Sequence, residues 1–109
     1  MQLECAEGLA SPNATESDIR KAFADDCERG EFAILSESDQ VYIQASGQGD
    51  GPYLLEYREG DDNRHYQCTR EATRSEVESA FIKYLKRDPS WKTDIPWSQL
   101  AKEPWWKFW

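Results

Sequence analysis

His65 is the single histidine of this 109-residue chain, and Cys68 follows it three positions later. Together they raise the question of a metal pair, or of a thiol nucleophile with its base. On a β-strand an offset of three sends the two side chains to opposite faces, where they can share neither a metal nor a proton. Cys5 and Cys27 add no paired spacing of the kind zinc sites use, so the sequence assigns no metal site and no cofactor. Glu56 and His65 suit strand geometry better. They fall on neighbouring candidate strands and on the same side, so a carboxylate and an imidazole can meet there, for acid–base work or as a cross-strand pair that stabilises a sheet. The pair is the commoner outcome. No nucleophile elbow, phosphate-cradling glycine loop or carboxylate cluster with an adjacent base accompanies it, and the expectation is a protein that is not an enzyme. "GQGDG" at residues 47–51 lacks the lysine and following helix of a phosphate loop and the spaced oxygens of a calcium loop. It reads as a hairpin connection.

The elements that must position these residues follow from local patterns. "TESDIRKAFADDCERG" predicts a helix over residues 16–29, with Thr15 as N-cap, Glu16 and Asp18 at the positive end of the dipole, and Gly30 as the stop. Ile19, Ala22, Phe23 and Cys27 give it a narrow apolar stripe. "TRSEVESAFIKYLKRD" predicts a second helix, with Thr73 and Glu76 as a capping box, a stripe of Val77, Ala80, Phe81, Tyr84 and Leu85, and Pro89 preventing continuation. Between them "EFAILS", "QVYIQAS", "PYLLEYR" and "RHYQCT" are separated by turn residues and predict a four-stranded antiparallel meander, with residues 3–5 as a candidate fifth strand. The expected architecture is α+β in two layers, with two helices packed on one sheet face. Alternation assigns Phe32, Ile34, Val41, Ile43, Ala45, Tyr53, Leu55, Tyr57, Tyr66 and Cys68 to that covered face. Ala33, Leu35, Tyr42, Gln44, Leu54, Glu56, Arg58, His65 and Gln67 go to the other. Residues 89–109 hold all five tryptophans: Trp91, Ile95, Trp97 and Leu100 are spread to cap the open end of a core, and "PWSQLAKE" suggests a helical turn.

One domain spanning residues 1–109 is expected from length. Fourteen aromatics (Trp 5, Tyr 5, Phe 4) separate the chain from disordered sequences. The net charge of −8 is uneven: residues 1–62 carry 15 acidic and 4 basic side chains, residues 63–109 carry 6 and 9. Such a balance repels a phosphate backbone and an anionic membrane, and attracts basic proteins, so neither nucleic acid nor membrane is expected as a partner. No stretch has the length of a transmembrane helix or the pattern of a secretion signal, and three widely spaced cysteines suit reduced thiols; the cytoplasm is the expected compartment.

The capped first helix, the run "GEFAILSESDQVYIQASGQGDGPYLLEYREG", the strand "RHYQC", the helix "EVESAFIKYL" and the late "W…IPWSQL" together resemble the small immunity proteins of bacterial polymorphic toxin systems, over roughly residues 15–100. The resemblance implies a non-enzymatic role: binding a cognate toxin domain and keeping it inactive in the producing cell. The uncovered sheet face supplies the chemistry a recognition surface uses. First contacts with a basic partner are expected at Asp39, Tyr42, Gln44, Glu56, Arg58, Asp61, Asp62 and His65. The rival readings are a small-ligand-binding domain and a homo-oligomerising structural module. The terminal "KEPWWKFW" bears on the last of these. It is too short for an amphipathic membrane helix, so its rings either fold back over the domain or dock on a second copy or partner, with Trp105, Trp106, Phe108 and Trp109 as a second interface.

Overall fold

A computed structural model describes residues 1–6, 8–24, 31–49 and 51–99 of the chain. In chain order its elements are β1 (Gln2–Cys5), β2 (Gly8–Ser11), α1 (Glu16–Ala22), β3 (Phe32–Ser38), β4 (Val41–Ser46), β5 (Leu54–Glu59), a 3-10 turn (Asp62–Arg64), β6 (His65–Cys68), α2 (Arg74–Leu85), α3 (Trp91–Asp94) and β7 (Trp97–Gln99).

Both long helices start as their sequences dictate. The Thr15 hydroxyl accepts the Asp18 N–H at 3.2 Å while the Asp18 carboxylate accepts the Thr15 N–H at 2.9 Å. Thr73 and Glu76 repeat the arrangement at α2. Each box satisfies two amides that would otherwise lack partners. α1 is shorter than expected. Phe23 leaves helical geometry at the C-cap, and its ring sits edge-on to Phe81 at 5.0 Å and to Tyr53 at 6.1 Å. The expected stop at Gly30 and the stripe residue Cys27 lie outside the described residues.

Among the described residues the strands form one antiparallel sheet of order β2-β1-β3-β4-β5-β6-β7. The expected four-strand meander is its centre, the candidate fifth strand is β1, and two further strands extend the edges. One of these corrects the helical turn expected around residue 97. Trp97 pairs with Cys68, and the extended backbone turns the indole toward the core while Ser98 points outward beside Gln67. The short helix lies upstream instead, at α3. Leu100 falls outside the described residues.

The sheet buries one face under α1 and α2. Leu3, Leu35, Ile43, Leu55, Ile19, Val77 and Phe81 have no exposed surface. The face assignment of β3 is the main correction. Phe32 and Ile34 were expected inside; Ala33 and Leu35 are there instead, both 0 % exposed. Register is the reason: Ala33 lies opposite Ala45 and Leu35 opposite Ile43, so they share the side of those two core residues. A bulge between Ser36 and Ser38, opposite Tyr42 and Val41, shifts the parity between β3 and β4. Counting alternation through the turn therefore assigned β3 to the wrong side.

The end of the core toward the C-terminus is closed by aromatic rings. Tyr57 stacks on Tyr66 at 4.7 Å, and Trp91 and Trp97 meet it edge-on at 4.8 and 4.7 Å. Trp91 and Ile95 are buried, in the capping role their spacing suggested. Burial, and next the negative charge of Glu59, push the Tyr57 phenol up to about 12.

Candidate functional site

Among the described residues no helix lies on the opposite sheet face, and antiparallel register writes its side chains into two cross-strand rows. One runs Gln2, Ser36, Tyr42, Arg58, His65; the adjacent one runs Glu4, Ile34, Gln44, Glu56, Gln67, Ser98. Five of the eight expected contact residues, Tyr42, Gln44, Glu56, Arg58 and His65, stand side by side in these rows. Each is half-buried. Cys68 lies on the covered face, 4 % exposed, so the offset-of-three argument against a His65–Cys68 site holds in the fold.

His65 is the hub of the cluster. The Arg58 Nε–H donates to His65 Nδ1 at 3.0 Å, and Arg58 Nη1 donates to Gln40 Oε1 at 2.6 Å. On the other side of the ring, His65 Nε2 lies 3.9 Å from Glu56 Oε2. The Tyr42 ring stands edge-on to the imidazole at 6.2 Å and beneath the Arg58 guanidinium at 5.9 Å. An Nδ1 that accepts a hydrogen bond carries no proton, so the neutral imidazole holds its proton on Nε2, facing Glu56. The geometry brings together an arginine, an imidazole and a carboxylate.

The three expected aspartates sit at one end of the face, in the turns β3–β4 and β5–β6, which are tied by the Gly60 N–H donating to Gln40 O at 2.7 Å. Asp39 is exposed. Asp61 caps the 3-10 turn, accepting the Asn63 N–H at 2.9 Å, and lies 3.7 Å from Arg64. Its carboxylate is thus engaged in shaping its own turn. Asp62 opens that turn. The second interface expected at Trp105, Trp106, Phe108 and Trp109 lies outside the described residues.

No family model, curated protein or solved structure matches this chain. Its chemistry rests on its own geometry.

Sequence reasoning missed part of the face. A groove of about 490 Å³ runs beside the cluster, with Ile34, Ser36, Tyr42 and Gln44 as its floor and Gln2, Glu4, Glu37 and Asp39 among its walls. Gln2 and Glu4 were legible in principle, because "QLEC" alternates polar and apolar residues. Ile34 was not, because the parity of β3 is set by the bulge.

Charge is segregated between the layers. On the helical side Arg20 pairs with Glu78 at 3.2 Å, Lys86 with Glu16 at 2.7 Å and Arg70 with Glu76 at 2.6 Å, and Lys83–Asp94, Arg87–Glu37 and Lys92–Glu59 are in contact. The Arg70 guanidinium, with the capping amide of Thr73, holds the Glu76 carboxyl at about 2. These six cations of the helical layer are therefore engaged with acids of their own surroundings. Among the described residues, outward strand positions carry Glu4 and Glu56 against the guanidinium of Arg58. Among the described residues no group of three or more His, Cys, Asp or Glu side chains is placed to hold a metal ion, and no helix is long and apolar enough to cross a membrane.

Proposed function

We propose that this protein is a non-enzymatic binding module that holds a basic partner protein on its open sheet face, serving as an immunity protein that neutralises a cognate toxin domain in the cytoplasm of the producing cell. The observation that carries this reading is the pair of cross-strand rows centred on Tyr42, Arg58 and Glu56, beside the groove floored by Ile34. Tyrosine and arginine are the side chains that most often dominate binding energy. A half-buried aliphatic centre with a polar, acidic surround matches the anatomy of an interface core and rim. The overall charge of −8 favours fast capture of a cationic partner, and such a gain falls with added salt.

The test begins with the product of the adjacent reading frame, expressed as a catalytically inactive variant and titrated calorimetrically with the purified protein. Tight binding is expected, weakened at least tenfold by Tyr42→Ala and by Glu56→Lys with thermal stability unchanged. A neighbour without toxin character, together with no binding, would sink the idea. The groove supports a second reading, in which a small cationic ligand rather than a protein occupies the face. Saturable binding of a small amine that Glu4→Gln abolishes, with no protein partner found, would favour it.

A further inference from the structure

We infer that His65 is a proton-operated latch on this face, holding Arg58 when neutral and Glu56 when protonated. The inference rests on where two hydrogen-bonding groups meet one ring. Neutral His65 offers a bare Nδ1 to the Arg58 Nε–H at 3.0 Å and an Nε2–H toward Glu56, 3.9 Å away. Proton uptake at Nδ1 replaces the acceptor by a donor, so two N–H groups and two positive charges then face each other across that contact. On the opposite side the same proton turns a long contact with Glu56 into a charged pair. One protonation thus breaks the Arg58 link and strengthens the Glu56 link, while Gln40 still accepts from the Arg58 guanidinium.

Among the described residues facing His65, Arg58 and Glu56 come from β5 and Tyr42 from β4, and the described outward residue of β7 nearest this row is the uncharged Ser98. Glu4, Glu56 and Arg58 sum to −1 on the outward strand positions while His65 is neutral, and protonated His65 brings the sum to zero. On the reading of this face as the binding surface for a cationic partner, acid weakens the grip, because the imidazolium competes for Glu56.

Nitrogen-15 NMR of the full chain tests the latch without any partner. At about pH 8 the ring should show a protonated Nε2 and a bare Nδ1, and the Arg58 Nε–H resonance should be protected from solvent exchange. That protection should be lost in step with His65 protonation on lowering the pH to about 5. An Nδ1–H tautomer, or an Arg58 signal indifferent to the His65 titration, overturns the inference. A decalysine peptide then probes the binding consequence. Its affinity should fall about two- to fivefold more over this pH range for the wild type than for His65→Gln. Equal falls in both overturn the effect on binding. Absence of decalysine binding at either pH, with the NMR behaviour intact, counts against the partner reading and leaves the latch standing.

Discussion

Leu35 and Ile34 are chain neighbours of equal size on opposite sides of β3, and exchanging each for alanine measures which one belongs to the core. Leu35 has no exposed surface and lies opposite Ile43 in the layer under the helices, whereas Ile34 is half-buried and floors the outer groove. Truncating a fully buried leucine removes its transfer free energy and leaves a cavity, a cost of about 3–5 kcal/mol. Ile34 faces the groove, so little cavity forms and the loss is only its partial burial, about 1 kcal/mol. A domain of this size has a total stability of about 5–15 kcal/mol, so Leu35→Ala should consume a large share of it. Urea unfolding followed by tryptophan fluorescence reads both costs. The midpoint should drop sharply for Leu35→Ala and slightly for Ile34→Ala, with unchanged slope in each case. At about 4 °C per kcal/mol, melting should fall by more than about 12 °C for the first and by about 4 °C for the second. If Ile34→Ala proves the more damaging, the bulge at Ser36–Ser38 is misplaced, and the groove and its neighbouring rows go with it. Binding should invert the order, since Ile34→Ala touches the proposed interface and Leu35→Ala does not.

Gly47 has φ of +146°, and a Cβ there would lie 2.5 Å from the Pro52 carbonyl oxygen and 2.8 Å from the Tyr53 ring; Gly47→Ala should cost more than about 2 kcal/mol, read as a lower urea midpoint. Glu76→Gln should destabilise by about 1 kcal/mol at neutral pH, much less than the pKa shift alone suggests, because solvent screens this surface pair. Since the folded state lowers the Glu76 value from 4.5 to about 2, its contribution is complete above pH 4.5 and fades as the pH falls toward 2. Wild type and Glu76→Gln should therefore converge in acid, and a constant gap in melting temperature would refute the Arg70–Glu76 account. Tyr57 shifts the other way: its neutral phenol is favoured in the fold, so this contribution is whole below pH 10 and is lost as the pH rises through about 12. An ultraviolet absorbance titration should show a phenolate step near pH 12 that Tyr57→Phe removes.

Both capping boxes were legible because they depend on residues three apart, and so were the pairings of β4, β5 and β6, whose turns are announced by glycine, aspartate and asparagine. The cluster of Tyr42, Gln44, Glu56, Arg58 and His65 followed, because a period of two and a correct register place side chains without knowledge of the rest of the fold. β3 escaped this logic. "FAIL" is apolar at four successive positions, so hydrophobicity is silent about its parity.

By itself, then, the sequence determined the two capping boxes, the antiparallel centre of the sheet and the outward residues of β4, β5 and β6, all governed by interactions between near neighbours in the chain. Tertiary structure alone decided the side of β3, the edge strands β2 and β7, the groove above Ile34 and the hydrogen bond from Arg58 to His65. These depend on a one-residue bulge and on pairing between distant segments. The physical reason is that a strand's register is set by the total burial it achieves with its neighbours, a quantity no single strand carries in its own residues.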